Sequence, residues 1–284
     1  MRRTLFVCLS TALAIIIGKA TVSVAAPLVV MPLGDSITEG DNIFGDALGG
    51  YRTQLWRDFG SSSSRLVFVG SQQSGPFMLG NQHHEGHSGY TIADAPIVGR
   101  LGLTEHLDGS KYAYPAGNWL GPTVNPDVIL LMIGTNDINL NYSVAQAPAR
   151  LAALIAKIAT LKPAAKLIVA SIPPIDDANS FFATDNNSNA RVIAYNAAIP
   201  GVVAAQRALG EQVFFYDMNH MLNVSDIADG LHPTLAGYNK MGDAWFSAIQ
   251  AIVPEPSTFT LLAVGGASVL ACFRRRGPLP KCKS

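Results

Sequence analysis

The sequence predicts an α/β fold, a three-layer α/β/α sandwich around a mainly parallel five-stranded sheet. Five β-rich segments are continuously apolar rather than alternating, which is typical of strands that are covered on both faces. Segments with helical spacing of apolar residues lie between them, and strands that alternate with helices along a chain form parallel sheets. With 284 residues, of which 49% are hydrophobic, the chain is long enough to bury a sizeable core.

The predicted elements follow one another along a single body. The five strands are Leu28–Leu33, Leu66–Val69, Val128–Ile133, Leu167–Ile172 and Val213–Tyr216. Helical spacing predicts helices over residues 51–59, 144–161 and 235–252. A further helix is expected around residues 192–209, with Pro200 kinking or restarting it. The glycine-rich stretches 70–90 and 102–126 are expected to form the walls of a cleft. We assign residues 26–252 to one domain.

The charges are distributed unevenly, although the formal net charge is zero. Three cations lie in the first 25 residues and five lie beyond residue 257. The segment between them holds 12 cations and all 20 acidic residues, so its net charge is −8. An acidic body without a basic stripe argues against nucleic acid as a partner.

The amino terminus has the pattern of a secretory signal peptide, which we place at residues 1–25. Arg2 and Arg3 precede the apolar run Leu5–Ile17, and small residues lead up to Pro27. A retained membrane anchor is the alternative interpretation, although this run is short for a bilayer span. We therefore expect an exported protein.

The carboxyl terminus carries a second targeting pattern. Pro254-Glu255-Pro256 is followed by the uncharged stretch Thr258–Phe273 and then by Arg274-Arg275-Arg276. Sixteen helical residues reach roughly 24 Å, which is marginal for crossing a bilayer, and the arginines would hold that end in the cytoplasm. This order resembles the PEP-CTERM sorting signal of Gram-negative bacteria, which an exosortase recognises.

The resemblance assigns the sorting signal to residues 253–276 and a cytoplasmic tail to residues 277–284. It implies an exosortase-type enzyme as a partner and transient anchoring in the inner membrane by the C-terminal helix. The final location would be outside the cell, secreted or on the surface of a Gram-negative bacterium. An ordinary C-terminal anchor is the alternative interpretation.

Ser36 is the candidate nucleophile. It follows the first predicted strand in Gly34-Asp35-Ser36, where Gly34 permits a tight turn that exposes the hydroxyl. The body contains no cysteine, so no thiol can take this role. A serine hydroxyl needs a base to remove its proton, and the tripeptide alone fits a helix-capping turn equally well.

His232 is the candidate base, and Asp229 is the acid that would orient it. Asp229 precedes His232 by three residues, so in a turn its carboxylate reaches the imidazole and fixes the tautomer, as in a serine triad. A helix-capping aspartate followed by a surface histidine is the alternative interpretation. Asp229 and His232 can act in catalysis only if Ser36 lies beside them.

Three residues are candidate donors to an oxyanion. Gly89 offers a backbone N–H without a side chain in the way, Asn136 offers its side-chain amide, and Ser36 offers its own N–H. One such donor is worth about 3 kcal/mol in barrier height. A turn-forming residue is the alternative interpretation of Asn136. Ser36 and Asn136 follow predicted strands, at the edge where parallel sheets bind their ligands.

No metal or cofactor is expected. His83, His84 and His87 lie close together in the sequence, but their spacing matches no strong ligand pattern. The three tryptophans at positions 56, 119 and 245 fit core or cleft packing better than a dedicated sugar platform. Of the three, Trp119 in the inserted loop is the best candidate to stack on a sugar ring.

These residues together resemble the SGNH hydrolases, also called GDSL esterases. The serine, glycine, asparagine and histidine in that name match Ser36, Gly89, Asn136 and His232, and Asp229 completes the triad. The resemblance covers most of the body. It implies a flavodoxin-like three-layer fold, ester cleavage through an acyl-enzyme and no cofactor. Isoleucine follows the serine here, where many lipolytic members have leucine.

Finer matches resemble the acetylxylan esterases of carbohydrate esterase family three. They are Gly49–Arg52, Phe68–Ser71, His84–Ile92 and Asp229–Pro233, although Tyr90 stands where that branch typically has tryptophan. This resemblance implies an acylated polysaccharide or a small ester as substrate, with O-acetyl as the acyl group. One alternative function is a lipase or general short-chain acylhydrolase. Another is a carbohydrate-binding matrix protein that keeps the triad without turnover.

Overall fold

The architecture comes from a computed structural model, which describes residues 26–40, 45, 48–113, 115–179 and 181–253. The expected signal peptide, the tail and all but the first residue of the expected sorting signal lie outside the described residues. The strands are β1 (Leu28–Gly34), β2 (Leu66–Phe68), β3 (Gln72–Gln73), β4 (His83–Gly86), β5 (Val128–Met132), β6 (Lys166–Ala170) and β7 (Val213–Tyr216). The helices are α1 (Ser36–Glu39), α2 (Tyr51–Asp58), α3 (Thr135–Asn139), α4 (Ala147–Leu161), α5 (Ser188–Ala208) and α6 (Leu235–Ile252).

The strands form one mainly parallel sheet in the order β3-β4-β1-β5-β6-β7, and β2 also pairs with β1. The amino half of β1 pairs with β2 and its carboxyl half with β4, so these two strands share one edge of β1. Only the β3–β4 pair is antiparallel within the described part of the chain. The predicted α/β class and parallel sheet are confirmed.

The predicted number of five strands is wrong, because the sheet has seven. The two additional strands, β3 and β4, lie in the stretch 70–90 that was expected to be cleft wall. Their residues are mostly polar and carry no continuous apolar run. Backbone pairing with β1 holds β4 in place, and β4 in turn pairs with β3. A sequence pattern that depends on apolar side chains therefore misses both strands.

Helices cover both faces of the sheet. β2 pairs with one edge of β1, and α2 connects these two strands. β5, β6 and β7 lie beyond the other edge of β1, where α4 connects β5 to β6 and α5 connects β6 to β7. Right-handed crossovers in opposite directions place their helices on opposite faces. Consistently, α2 packs on α6 and α4 packs on α5. The reversal makes the carboxyl end of β1 a topological switch point, where such sheets leave a crevice for a ligand.

Packing follows the apolar pattern. All five residues of β5 are buried, and α4 buries Leu151, Leu154 and Ile158 on one face. Gly242 lets α6 approach α2 closely, because a Cβ there would lie 2.5 Å from the Cβ of Gln54. This packing fixes the position of the loop that precedes α6.

Helix α5 continues through Pro200, so of the two predicted effects, a kink or a restart, the restart is wrong. Pro200 is exposed, whereas Tyr195, Ile199 and Val203 are buried on the opposite face. The missing backbone N–H therefore lies on the solvent side. Burial of residues on both sides of the proline holds the two halves in one helix.

Candidate active site

Ser36, His232 and Asp229 form a hydrogen-bonded chain at the carboxyl end of β1. The Oγ atom of Ser36 lies 2.9 Å from Nε2 of His232, and Nδ1 of His232 lies 2.9 Å from Oδ2 of Asp229. All three residues are buried. An imidazole that bridges a hydroxyl and a carboxylate is arranged to accept a proton from the hydroxyl.

The turn after β1 places Ser36 at the first position of α1. Asp35 caps this helix, because its Oδ1 accepts the N–H of Ile37 at 3.0 Å. Gly34 lets the chain pass the end of β5, since a Cβ there would lie 2.3 Å from the carbonyl oxygen of Met132. The capping turn and the candidate nucleophile, two interpretations of Gly-Asp-Ser, are therefore one and the same structure, although Ser36 is buried and not exposed as the sequence suggests.

The loop before α6 builds the acid–imidazole pair. Oδ1 of Asp229 accepts the N–H groups of Leu231 at 3.0 Å and of His232 at 2.7 Å, which leaves Oδ2 to face the ring. Burial raises the pKa of Asp229, but the hydrogen bonds from the side chain and backbone of His232 lower it further, so its pKa lies below the ordinary value. The ionised carboxylate only accepts hydrogen bonds. Nδ1 therefore carries the hydrogen, and Nε2 is free to accept from Ser36.

The loop that carries Gly89 is tied on both sides. The N–H of Ser88 donates to Oε2 of Glu39 at 3.1 Å, at the end of the helix that begins with Ser36. The carbonyl of Tyr90 accepts Nδ2 of Asn136 at 2.8 Å. Gly89 between them has a left-handed φ of +77°. No acceptor within the described ranges takes the N–H of Gly89.

Asn136 lies on α3, directly after β5, and it is buried. One N–H of its amide goes to Tyr90, so the second remains for another acceptor. β1 and β5 are neighbours in the sheet, and their carboxyl ends carry Ser36 and Asn136. The structure thus brings the five predicted site residues together at the carboxyl ends of the strands.

Asp35 is a titratable neighbour that sequence reasoning recognised only as a part of the motif. It is completely buried, and burial raises its pKa from 3.8 to about 6, although the N–H of Ile37 and the charge of His232 oppose this shift. The sequence offers no signal for it beyond its place before Ser36. Its charge state therefore changes near pH 6.

The three neighbouring histidines have partners of their own. Nε2 of His84 lies 2.8 Å from Oγ of Ser74, and burial lowers the pKa of His84 to about 2. Nε2 of His87 lies 2.8 Å from Oε2 of Glu85. Across the described part of the chain, no group of three or more histidine, cysteine or acidic side chains is arranged to hold a metal ion.

Trp119 is not a free platform for a sugar ring. It is 1% exposed and stacks on the imidazole of His87, with ring centroids 3.9 Å apart and planes at 9°. Its burial agrees with the expected packing role, and the alternative that Trp119 stacks on a substrate is wrong. The sequence gives the tryptophan, but only tertiary packing decides whether its face is open.

The fold and this geometry have counterparts among known proteins. Residues 33–240 match the GDSL-like lipase/acylhydrolase family, and residues 253–276 match the PEP-CTERM protein-sorting motif. A multidomain esterase from Ruminococcus flavefaciens is 33% identical over 242 residues. That match covers 80% of this chain but 29% of the esterase, so the chain spans under a third of that relative.

Two solved structures resemble the chain over most of its length. A family 3 carbohydrate esterase from Clostridium thermocellum has a TM-score of 0.61 and 34% identity, with 80% of this chain and 96% of that chain covered. A carbohydrate esterase of family 3 from Talaromyces cellulolyticus has a TM-score of 0.58 at 24% identity, covers 81% and 100%, and shows the fold alone. The resemblance to SGNH hydrolases and to the PEP-CTERM signal is confirmed, and the chain belongs to the GDSL-like lipase/acylhydrolase family.

Proposed function

We propose that the protein is an exported serine esterase that removes O-acyl groups, acetyl in particular, from carbohydrate. The observation that carries this proposal is the chain of hydrogen bonds from Ser36 through His232 to Asp229. Membership of an acylhydrolase family supports ester chemistry at that chain. The buried and ionised Asp229 supports His232 as a base.

The geometry supports a two-step mechanism. Oγ of Ser36 attacks the ester carbonyl carbon while Nε2 of His232 takes its proton, and Asp229 stabilises the resulting imidazolium. The carbonyl oxygen becomes an oxyanion, to which the N–H groups of Ser36, Gly89 and Asn136 donate. The imidazolium then protonates the leaving alcohol, and an acyl-enzyme remains on Ser36.

The second step restores the enzyme. A water molecule attacks the acyl-enzyme while Nε2 of His232 takes its proton, and the same three donors receive the new oxyanion. Collapse of this intermediate returns the proton to Oγ of Ser36 and releases the carboxylic acid. Each proton transfer uses a side chain of this protein.

Carbohydrate as the leaving group rests on the similar proteins. The Clostridium thermocellum structure, at 34% identity, is a family 3 carbohydrate esterase. A lipase or general short-chain acylhydrolase is the second candidate, since the matching family includes both lipases and acylhydrolases. A carbohydrate-binding protein without turnover is the third.

Export rests on the two ends of the chain. The PEP-CTERM match at residues 253–276 supports surface sorting by an exosortase, with the inner membrane as the site of transient anchoring. The signal-peptide pattern of residues 1–25 supports passage across that membrane. Cell fractionation of the full-length protein with and without residues 253–276 tests this, because loss of the segment should move the protein away from the cell surface.

Acetate release tests the function. The purified domain is incubated with acetylated xylan and, separately, with 4-nitrophenyl palmitate, and Ser36→Ala is the matched control. Release from the xylan that depends on Ser36 supports the proposal. Activity on the palmitate ester alone would favour the lipase. If the unmodified domain and Ser36→Ala show the same background rate on both substrates, the proposal that the protein is an esterase is contradicted.

A further inference from the structure

Two exposed aromatic rings stand beside His232. Phe181 is 64% exposed and Phe182 is 39% exposed. The ring of Phe182 meets the imidazole of His232 edge to face, with centroids 5.1 Å apart and planes at 89°. Phe181 in turn packs on Phe182, with centroids 4.9 Å apart and planes at 72°. We call these two residues the aromatic wall.

The loop that carries the aromatic wall is fixed to the triad loop. The N–H of Phe182 donates to the carbonyl of Asp229 at 3.2 Å. Its own carbonyl accepts Nδ2 of Asn139 at 2.8 Å. The N–H of Asp176 donates to the carbonyl of Gly230 at 3.0 Å. Phe182 therefore keeps its place relative to His232, although its side chain remains open to solvent.

Leaving two large apolar rings in water is unfavourable, and exposed apolar surface next to a site commonly marks a binding surface. The proposed mechanism indicates which part of the substrate binds at these two rings. Nε2 of His232 must pass its proton to the oxygen of the leaving alcohol, so this alcohol lies against the imidazole and beside Phe182. The ester carbonyl oxygen faces the N–H donors of Ser36, Gly89 and Asn136 in this mechanism.

We propose that the aromatic wall binds the leaving alcohol and selects esters of sugar rings over esters of small alcohols. This rests on the proposed function. The flat C–H face of a pyranose fits against an aromatic ring, which gains contact without losing a hydrogen bond. The wall takes the role that the sequence suggests for Trp119, whose ring is buried.

The test compares two acetates that differ in the alcohol. One is a mono-O-acetylated methyl xyloside and the other is ethyl acetate. Phe181→Ala, which leaves the ring against His232 in place, should lower kcat/KM for the xyloside about fivefold, mainly through KM, and leave kcat/KM for ethyl acetate within about twofold. Phe182→Trp should retain the preference for the xyloside, whereas Phe182→Leu, which is apolar but not flat, should lose it.

Two variants separate the wall from general effects. Phe77, 97% exposed on the turn between β3 and β4, gives a matched Phe77→Ala that should change neither rate. Phe181→Ala leaves Phe182 beside the imidazole, so it tests the wall without altering the ring that contacts His232.

The possible outcomes distinguish a failure of the aromatic-wall proposal from a failure of the proposed esterase function. A proportional fall for both esters would show that the rings act through His232 and would overturn the wall. An unchanged preference for the xyloside in Phe181→Ala would also overturn it. Failure of the unmodified protein to hydrolyse ethyl acetate in a manner that depends on Ser36 would instead contradict the esterase itself.

Discussion

The Nε2 atom of His232 lies 2.9 Å from Oγ of Ser36, although 196 positions separate the two residues in the sequence. Ser36 follows β1 at the centre of the sheet, and His232 lies in the loop before α6. Packing of α6 on α2 brings the two segments together. The contact therefore exists only in the folded chain, and each prediction below depends on it or on its immediate neighbours.

Asp229→Asn should lower kcat for 4-nitrophenyl acetate by about 10³- to 10⁴-fold. The amide still fits the loop, but its N–H₂ group donates to Nδ1 of His232, so Nε2 holds the hydrogen and no longer accepts from Ser36. Asp243→Asn, an exposed change on α6, is the control and should not alter kcat. A fall of less than tenfold at Asp229 would contradict its orienting role.

Asn136→Ala should lower kcat by about 10²- to 10³-fold with little change in KM, because an oxyanion donor acts mainly in the transition state. Asn125→Ala, in the exposed loop before β5, is the matched control. Steady-state kinetics on 4-nitrophenyl acetate give both constants. If KM rises while kcat stays the same, Asn136 binds substrate rather than the oxyanion.

Glu39→Ala should lower kcat about tenfold, since it removes the acceptor that holds Ser88 and with it the loop of Gly89. Glu39→Gln keeps an oxygen at the same place and should remain close to the unmodified protein. Melting temperatures of both variants are measured alongside kcat. A loss in Glu39→Ala that follows the melting temperature and appears equally in Glu39→Gln would argue for a structural role alone.

Asp35→Asn should change stability in a pH-dependent way. The folded pKa of Asp35, about 6, lies above the value of 3.8 for the unfolded chain. The folded protein therefore keeps a proton that the unfolded chain has lost, so this contribution to stability is complete below pH 4 and is lost as the pH rises through 6. Asparagine can cap α1 without ionising.

The free energy of unfolding in urea is measured for both proteins at pH 4 and pH 7.5. The variant should gain about 2 kcal/mol relative to the unmodified protein between these two pH values. The same difference at both values would show that Asp35 does not titrate in this range. Activity is measured in parallel, because the charge of Asp35 acts on His232.

Many of the strands and helices could be predicted from the sequence, because the apolar patterns that indicate them are local. The strands β1, β5 and β6 are apolar runs that are largely buried, and β7 is an apolar run that is buried at Val213. Helices α4 and α6 keep one apolar face. β3 and β4 have no such signal, since backbone pairing and not side-chain burial holds them. Pro200 does not restart the helix for the related reason that packing of its neighbours outweighs one missing hydrogen bond.

The candidate site was predictable only as far as its residues stand in motifs. Ser36 and His232 belong to short patterns, and the structure brings them together, while their chemical roles stay predictions. The parts played by Glu39 and Phe182 depend on neighbours that are distant in sequence. Trp119 is the opposite case, because its residue type suits stacking on a sugar but the fold buries its ring.

The most direct measurement is the intact mass of the protein after reaction with a fluorophosphonate, which bonds to an activated serine. We expect one adduct, located on Ser36 by peptide mapping, that is absent in Ser36→Ala and forms much more slowly in His232→Ala. No adduct on the unmodified protein, or an equal adduct on Ser36→Ala, would contradict the claim that His232 activates Ser36 for attack.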